Sequence, residues 1–368
     1  MDYLINTNLL VPYVQNLSHL LIIRLNKNLT SGSNKEMKNS NELIPLKIIA
    51  SGTALPESKV YSSDLDLRFN KPNGFVQKRS GIEYRYHSDY ETSPAKFAAV
   101  ALNETLKNHQ IPPDSVDLLI AASAIPIQAL PYSAAHILKE SQLKAGTACF
   151  DINSSCVSFV SALSVAAGLL ATKQYRRIAI VSSEMASRGI DWSHQESSLI
   201  FGDGAACMIV ERGDGQSGIV TYKHETYPEG LALCEIRAGG TRRNLRTGME
   251  DSDLLFQMQG KPLFKLTASL IEDFTKRVLA SANLTMPEID TVIPHQASHL
   301  GLEHIRKRLN IKEERFVNIY RYRGNQVAAS IPSALHEAIV TDRYYGCDYV
   351  MLLGTAAGLS LSEMILKP

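Results

Sequence analysis

Short apolar runs alternate with longer segments of helical pattern through most of the chain. In the first half the predicted strands span residues 46–51, 116–123, 148–152, 177–182 and 205–210, and the predicted helices span residues 94–108, 133–142 and 157–171. Because strands and helices alternate, we expect an α/β fold in which helices cover mixed, mostly parallel sheets.

The second half repeats this rhythm. Its predicted helices span residues 265–282, 300–309 and 331–340, and its predicted strands span residues 289–294, 349–353 and 358–365. An acidic residue precedes a short apolar strand in both halves, at Asp117 and at Asp290. We therefore predict two pseudo-symmetric halves, residues 45–215 and 216–368, with the functional site at their junction.

Residues 1–44 differ from the rest of the chain, because they are rich in Asn, Leu and Ser and show no sustained pattern. Residues 9–25 are fairly apolar, but Pro12, Gln15 and Arg24 interrupt them, and the stretch is too short and polar to span a membrane. It also lacks the basic segment and cleavage site of a secretory signal. We expect a mobile N-terminal extension, with the natural start at or near Met37.

The bulk composition is that of an ordinary globular protein. The 368 residues are 45% hydrophobic and 20% charged, with a net charge of +1, so we expect neither nucleic acid nor a membrane as a partner. The five cysteines are Cys149, Cys156, Cys207, Cys234 and Cys347. No two of them have metal-ligand spacing, so we expect no metal site and a reducing, cytoplasmic environment.

Cys156 lies between a predicted strand, residues 148–152, and a helix rich in small residues, 157–171. The unpaired N–H groups and the positive dipole end at a helix start favour a thiolate, which is the nucleophilic form of cysteine. Most cysteines are nevertheless buried structural residues. Position alone leaves a nucleophile and a structural residue equally open.

Two further polar residues follow apolar segments in the second half. His295 ends the run Ile289-Asp-Thr-Val-Ile-Pro-His295, and Asn325 lies in Arg323-Gly-Asn325. A single histidine at a strand end is usually structural, and Gly-Asn is typical of a turn. With Cys156 and their flanking residues, they form a Cys–His–Asn set that is far more specific than any one of them.

Several segments carry a family resemblance. They are Gly52-Thr-Ala-Leu-Pro56, Arg79-Ser-Gly-Ile82, residues 151–159, Phe201-Gly-Asp-Gly-Ala205, Pro294-His-Gln-Ala297, residues 324–332 and residues 354–359. Over residues 46–368 the chain resembles the β-ketoacyl-acyl carrier protein (ACP) synthase III-type condensing enzymes of the thiolase superfamily. The resemblance implies a thiolase fold with αβαβα layers.

The resemblance also implies a role for each residue of the set. Cys156 would attack an acyl thioester and hold the acyl group, and its backbone N–H, with that of Ala357, would form the oxyanion hole. His295 and Asn325 would bind the thioester carbonyl of a malonyl-type donor while CO2 leaves. No cofactor is needed, because the phosphopantetheine arm belongs to the substrates.

The substrate entrance departs from the family pattern. The resemblance implies substrate contacts at Arg79, Leu130, Phe201 and Ser298. The housekeeping enzymes usually have a Trp that stacks on the adenine of CoA, where this chain has Phe75, and Asn-Leu-Arg where it has Ser298-His-Leu300. Basic residues at 306–308 are either a carrier-docking patch or a solvated helix face.

Glu196 stands where the housekeeping enzymes usually have an uncharged residue. If it is buried near the thiol it would be an auxiliary base, and if it is exposed it is a surface charge. Together these departures suggest a specialised member related to the ketosynthases of secondary metabolism.

The predicted function is a decarboxylative Claisen condensation of an acyl group on Cys156 with a malonyl-type or β-ketoacyl thioester, as in fatty acid or polyketide biosynthesis. The expected partners are acyl-CoA or acyl-ACP, malonyl-ACP or β-ketoacyl-ACP, the carrier protein, and a second copy in a homodimer. In that dimer the segment 129–132 would reach the partner's pocket, and Leu130 in place of a bulky Phe would make the pocket roomier.

Three alternatives stay open. One is a ketosynthase and cyclase that forms a cyclohexanedione or dialkylresorcinol ring from two acyl thioesters. Another is an acyltransferase to oxygen or nitrogen that releases no CO2. The third is a catalytically inactive partner in a heterodimer, which the intact set of Cys156, His295 and Asn325 disfavours.

Overall fold

The structure, a computed structural model, describes residues 43–368. The predictions for residues 1–42, including the start near Met37, lie outside the described residues. The strands are β1 (Ile44–Pro45), β2 (Lys47–Ala54), β3 (Lys59–Tyr61), β4 (Tyr84–Tyr86), β5 (Leu118–Ala121), β6 (Ala148–Asp151), β7 (Arg177–Glu184), β8 (Gly204–Glu211), β9 (Gly218–Thr226), β10 (Cys234–Glu235), β11 (Gln257–Met258), β12 (Thr291–Pro294), β13 (Val350–Ala356) and β14 (Ser360–Lys367).

Ten α-helices accompany these strands in the described part of the chain. They are α1 (Ser62–Arg68), α2 (Phe75–Ser80), α3 (Pro94–Asn108), α4 (Ser133–Glu140), α5 (Ser158–Ala171), α6 (Gln195–Ser198), α7 (Gly260–Ser281), α8 (His299–Arg308), α9 (Tyr320–Arg323) and α10 (Ser330–Val340). None of the helices within residues 43–368 combines the length and apolar character needed to cross a membrane.

Two five-stranded sheets carry the same internal pattern. The first has the order β2-β8-β7-β5-β6 and the second has the order β1-β9-β14-β13-β12. In each sheet, two antiparallel pairs are followed by a parallel pair: β2-β8-β7-β5 in the first and β9-β14-β13-β12 in the second. This repeat confirms the predicted pseudo-symmetry.

The proportion of parallel strands is lower than the sequence suggested. The two large sheets contain three parallel pairs and five antiparallel pairs. Parallel neighbours need a crossover helix, as between β5 and β6, whereas β13 and β14 are joined by only residues 357–359 and therefore pair antiparallel. The alternation of strands and helices along the chain does not reveal which neighbouring strands pair antiparallel.

The sheets and helices stack in five layers. The outer face of the first sheet packs on α3 and α4, and the outer face of the second packs on α7 and α8. Between the sheets lie α5 and α10, which share one large core with the inner faces of both. This arrangement confirms the expected αβαβα architecture of the thiolase fold.

The central helices can lie between two sheets because their residues are small. Ala162, Ala166 and Ala167 of α5 and Ala334 and Ala338 of α10 have no exposed surface. Small side chains let a helix approach both sheets while the interior stays closely packed. In α10 all residues from Ser330 to Leu335 are buried, whereas α5 leaves Val165 and Gly168 exposed on one side.

Most predicted elements exist within a few residues of their expected bounds, but β9 was missed. This strand, Gly218–Thr226, is the partner of both β1 and β14. Most of its residues are half-buried and several are polar, so the apolar signal is weak. Its place in the sheet depends on pairing with the last strand of the chain.

Candidate active site

Four connections between elements converge on one cavity of about 1700 Å³. They are the loop from β6 to α5 with Cys156, the segment after β12 with His295, the turn from α9 towards α10 with Asn325, and the turn from β13 to β14 with Ala357. The first comes from one half of the fold and the other three from the second half. The candidate site therefore lies between segments of both halves.

The Cys156 loop has a strained backbone. Ser155, directly before the cysteine, has a φ of +52°, a region that non-glycine residues seldom adopt. The Asn153 side chain accepts a hydrogen bond from the Ser155 N–H at 2.9 Å, and the Ser158 hydroxyl accepts one from the Ser154 N–H at 2.9 Å. These bonds hold the turn that presents the thiol to the cavity.

The Cys156 thiol is more strongly protonated than its position near a helix start suggested. Burial raises its pKa to about 12, and the negative charge of Glu184 also raises it. The backbone N–H groups of Ala357 and of Cys156 itself lower the pKa, but by less than burial raises it. The expected thiolate is therefore corrected: the Cys156 side chain is a neutral thiol at physiological pH.

His295 follows the last residue of β12 and is held by its backbone, whose N–H donates to the carbonyl of Leu353 at 2.7 Å. Its side chain is only 5% exposed, and burial lowers its pKa to about 4. The ring is therefore neutral at physiological pH. Its Nδ1 atom is buried and has no hydrogen-bond partner in the described part of the chain, so the imidazole keeps unused hydrogen-bonding capacity within the cavity wall.

Asn325 is fixed by four hydrogen bonds. Its N–H donates to the carbonyl of Ile200 at 2.7 Å, and its carbonyl accepts from Gly202 at 3.1 Å. Its side-chain amide donates to the Ala297 carbonyl at 3.2 Å and accepts from the Val327 N–H at 2.8 Å. Ala297 lies two residues after His295, so the amide and the imidazole are tied to one segment.

The turn that carries Ala357 is also in an unusual conformation. Gly358 has a φ of +81° and Leu359 a φ of +41°. Val327, beside the bound amide of Asn325, has a φ of +48°, which is a genuine outlier for a β-branched residue. Together with Ser155, these positions place strained backbone at three of the four segments that form the site.

The residues predicted to contact substrate occupy different places. Arg79, Phe201 and Ser298 line the cavity. The Ser298 hydroxyl accepts a hydrogen bond from the Gly301 N–H at 3.1 Å and caps α8. Leu130 is 84% exposed, and it is not among the described residues that line this chain's cavity.

Glu196 is an exposed residue at the cavity rim, so the burial on which its role as an auxiliary base depended is not present. Its carboxylate lies against Gly260, the first residue of α7, where a Cβ atom would come within 2.0 Å of Oε1. Glycine at this position allows the close approach. A negative charge at a helix start is favourable, because it faces the positive end of the helix dipole.

Sequence reasoning missed Glu184, which is the buried acid of the site. It ends β7, lines the cavity and is 1% exposed, and burial raises its pKa to about 8. Its Oε1 accepts a hydrogen bond from the Ala124 N–H, and its Oε2 has no hydrogen-bond partner within residues 43–368. The sequence did contain one signal for this residue, which is an acidic side chain at the end of an apolar strand. Strand ends meet at one edge of a sheet, where a site can form.

Cys234, on β10, is a second free thiol in the wall of this cavity. Among residues 43–368, no group of three or more His, Cys, Asp or Glu side chains is arranged to hold a metal ion.

Two family models match the chain. The one described as 3-oxoacyl-[acyl-carrier-protein (ACP)] synthase III matches residues 150–228, and the one for the C terminal of that enzyme matches residues 279–367. The β-ketoacyl-[acyl-carrier-protein] synthase III of Natranaerobius thermophilus is 31% identical over 328 residues, which cover 87% of this chain and 98% of the relative. The enzyme of that name from Aquifex aeolicus is 32% identical over 323 residues, which cover 87% and 99%.

The chain belongs to the 3-oxoacyl-ACP synthase III family. This member of the synthase III family is an acyltransferase that forms carbon–carbon bonds. The crystal structure of the Aquifex aeolicus synthase III superposes with a TM-score of 0.76 at 27% identity, covering 88% of this chain and all of that one (100%). OleA of Xanthomonas campestris shares the fold, with a TM-score of 0.77 at 18% identity over 90% of this chain and 100% of that one.

Proposed function

We propose that this synthase condenses an acyl group on Cys156 with a malonyl-type thioester and releases CO2 and a β-keto thioester. The observation that carries the proposal is that the Cys156 thiol, the Ala357 backbone, His295 and Asn325 all line one cavity. The two half-reactions require a nucleophile, two convergent N–H groups and two neutral polar side chains.

The first half-reaction transfers the acyl group to Cys156. Its sulfur attacks the thioester carbonyl, and the N–H groups of Cys156 and Ala357 stabilise the oxyanion that forms. The thiol loses its proton as the bond forms, and the departing thiolate of the carrier takes up a proton. A thiol with a pKa of about 12 reacts slowly until substrate is bound, because little thiolate is present.

The second half-reaction generates a carbon nucleophile. As CO2 leaves the malonyl group, negative charge moves to the thioester oxygen, where neutral hydrogen-bond donors on His295 and Asn325 stabilise the enolate. The lowered pKa of His295 keeps its ring neutral, so it binds the carbonyl oxygen without protonating it. The carbanion attacks the acyl carbonyl, and the proton needed by the released Cys156 thiolate comes from solvent.

We expect malonyl-ACP as the acceptor substrate, because the named relatives act with an acyl carrier protein. Phe75 supports a carrier-bound acyl donor rather than acyl-CoA. It packs in a small core with Leu65, Val76 and Leu199 and is not among the described residues that line the cavity. The phosphopantetheine arm then arrives with both substrates, and the enzyme needs no cofactor of its own.

The basic face of α8 is largely neutralised within this chain. Arg306 pairs with Glu303 at 3.0 Å, and Arg308 pairs with Glu272 at 2.6 Å. Lys307 is the most exposed of the three cations, and its 3.7 Å contact with Glu303 is the longest of these pairs. We therefore assign carrier docking at this face chiefly to Lys307.

A homodimer would explain two surface features. The edge strand β6 is half-exposed along its whole length and pairs only with β5 on one side. Leu130 is a strongly exposed apolar residue two positions after Gln128 of the cavity wall. Pairing of two β6 strands would cover this edge and bring Leu130 to the partner's cavity. Sedimentation at micromolar concentration tests this, and a monomer would contradict it.

A ring-forming ketosynthase is the second candidate, and the cavity volume favours it. Small-molecule pockets usually measure roughly 300–1,000 Å³, whereas this cavity measures about 1700 Å³. Two acyl chains and a cyclised product would use that space. Product analysis by mass spectrometry distinguishes a linear β-keto thioester from a ring, because a Claisen-type closure to a cyclohexanedione breaks the thioester C–S bond and releases the carrier thiol.

The decisive experiment separates the two half-reactions. Hexanoyl-CoA and hexanoyl-ACP are each incubated with the enzyme, and intact-mass measurement should show one added acyl group at Cys156. Malonyl-ACP is then added, and we expect CO2 in equal amount to the β-keto product. Acyl transfer to oxygen or nitrogen would form product with no CO2, and an inactive protein would gain no mass.

A further inference from the structure

Ala124, in the loop after β5, connects the end of β7 to the Cys156 loop. The Ala124 N–H donates a hydrogen bond to Oε1 of Glu184, the last residue of β7. The Ala124 carbonyl accepts one from the Asn153 amide at 2.8 Å, and the Asn153 side-chain oxygen accepts one from the Ser155 N–H at 2.9 Å. Three hydrogen bonds therefore join the Glu184 carboxyl group to the residue that precedes the proposed nucleophile.

A second set of hydrogen bonds runs beside the first, one residue earlier in both segments. The Ser123 hydroxyl donates to the Ser183 carbonyl at 3.1 Å and accepts from the Ser183 N–H at 3.0 Å. At the start of α5, the Ser158 hydroxyl shares its hydrogen between the carbonyl of Ser123, at 3.3 Å, and that of Ser155, at 2.6 Å. The end of β7 is thus joined to the start of α5 by two routes, which limits how far the two can move apart.

One oxygen of Glu184 has unused hydrogen-bonding capacity beside the thiol. Its Oε2 is buried without a hydrogen-bond partner in the described part of the chain, and the side chain lines the same cavity as Cys156. Burial raises the pKa of Glu184 to about 8, the charge of Asp203 also raises it, and neighbouring backbone N–H groups lower it by less than burial raises it. The negative charge of Glu184 in turn raises the pKa of the Cys156 thiol, so the two groups interact. A base works best when its pKa lies near the operating pH.

The other acids of the cavity are already engaged or exposed. Among the described residues, four carboxyl side chains line it: Glu184, Glu196, Glu235 and Glu303. Glu235 pairs with Arg242 at 3.0 Å. Glu303 pairs with Arg306, also at 3.0 Å. Glu196 is exposed at the rim, where water screens its charge.

His295 is too weak a base to take the thiol proton, because burial lowers its pKa to about 4. The Cys156 thiol, with a pKa of about 12, gives up its proton only to a stronger acceptor or as the new bond forms. Within residues 43–368, Glu184 is therefore the cavity group best suited to receive that proton.

We propose that the Glu184 carboxylate accepts the proton of the Cys156 thiol, through one water molecule, while the acyl group is transferred. This inference rests on the proposed function and completes its first half-reaction. The S–H bond of Cys156 breaks as its sulfur bonds to the acyl carbon, and the bond from that carbon to the carrier sulfur then breaks. Glu184 returns the proton through water to the departing carrier thiolate, so the carboxylate is regenerated and no proton is gained or lost.

The test measures single-turnover acylation by hexanoyl-ACP between pH 6 and pH 9.5. In the native enzyme the rate should rise about tenfold per pH unit and level off above pH 8, where Glu184 is mostly ionised. Glu184→Gln should lower the rate at pH 7.5 by about 10²–10⁴, the usual contribution of a general base, and should remove the levelling. Glu184→Asp restores a carboxylate and should recover part of the rate together with the levelling. Glu363→Gln is the matched control, because it removes a buried acid that is not among the described cavity residues, and it should keep the native profile.

Alkylation by iodoacetamide separates the loss of a base from a misplaced thiol. Above pH 8 alkylation proceeds through the free thiolate, so E184Q should be faster than the native enzyme in this reaction although it is slower in acylation. If E184Q is slower in both reactions, Glu184 only positions the Cys156 loop and the proton role is wrong. Thermal melting confirms that each variant is folded.

The outcomes also distinguish this inference from the proposed function. If E184Q and the native enzyme are acylated at equal rates with the same pH profile, Glu184 does not accept the proton and the proposed function stands. A native profile that rises through pH 8 without levelling leads to the same conclusion. If the native enzyme gains no hexanoyl group at any pH, the proposed function itself fails.

Discussion

The backbone N–H of Ala357 lowers the pKa of the Cys156 thiol, and both residues line the same cavity. Ala357 lies in the turn between β13 and β14 of the second sheet, and Cys156 lies in the loop that follows β6 of the first sheet. The proposed nucleophile and one of its two proposed N–H donors thus come from different halves of the fold. A packing change between the halves would alter the proposed oxyanion site without any substitution near it.

Replacing Cys156 by Ala should abolish acyl-enzyme formation, because no other residue is proposed to attack the thioester. Intact-mass measurement after incubation with hexanoyl-ACP would detect the loss. The matched control is Cys234→Ala, which removes the other free thiol of the same cavity wall. Acylation of C156A, or loss of acylation in C234A but not in C156A, would show that Cys156 is not the nucleophile.

Alkylation of Cys156 by iodoacetamide should accelerate steadily from pH 7 to pH 9.5, without a plateau. The reason is a thiol pKa near 12, below which the thiolate fraction rises about tenfold per pH unit. Peptide mass spectrometry would follow Cys156 separately from the other cysteines. A plateau at neutral pH would show that the positive end of the helix dipole, rather than burial, determines the pKa of the Cys156 thiol.

Glu184→Gln should increase the alkylation rate of Cys156 at a given alkaline pH. The ionised carboxylate raises the thiol pKa, so removing its charge lowers that pKa and yields more thiolate. The difference should be largest above pH 8, where Glu184 is mostly ionised in the native enzyme. Glu363→Gln is the control, since Glu363 is a buried acid beside α7 and is not among the described cavity residues. An equal effect of both variants would exclude a local charge effect.

His295→Ala should slow condensation while leaving acylation intact. Loss of one hydrogen-bond donor to a developing oxyanion typically costs about 10²–10³ in rate. Single-turnover release of CO2 from malonyl-ACP by preformed acyl-enzyme would measure the second step alone. Asn325→Ala should behave in the same way. Slower acylation with unchanged CO2 release would instead assign His295 to the first half-reaction.

The same CO2 assay predicts a pH profile. The His295 pKa is lowered to about 4, so the neutral ring persists well below its usual titration range. Condensation should stay level between pH 7 and pH 5 and decline only as the pH falls towards 4. An acidic limb centred near 6.5 would mean that the imidazole is hydrated and titrates normally.

Glu363→Gln should reduce the pH dependence of stability. Glu363 is fully buried, accepts a hydrogen bond from the Thr275 hydroxyl at 2.6 Å, and has a pKa raised to about 8. The unfolded chain releases this proton near pH 4.3, so the native protein loses stability as the pH rises from there to about 8. Melting temperatures at pH 5.5 and 8.5 should differ less in the variant, and equal differences would contradict this origin.

The positions of most helices and strands could be read from the sequence, because apolar periodicity and helix caps depend on neighbouring residues. Helix α3 begins and ends where its pattern predicted, at Pro94 and Asn108, with Ser93 as its cap. The Cys–His–Asn set and the family were also recognisable, since the flanking motifs are contiguous. Strand β9 and the low proportion of parallel pairs were not, because both depend on pairing between distant segments.

The chemical environment of the site was decided by the tertiary structure alone. The sequence favoured a thiolate at Cys156 and left Glu196 open between an auxiliary base and a surface charge, whereas the fold desolvates the thiol and exposes that carboxylate at the rim. It also brings Glu184, which no motif singled out, into the same cavity wall. The physical reason is that desolvation and charge interactions depend on every group packed around an atom, while propensity and motif depend on its neighbours in the chain.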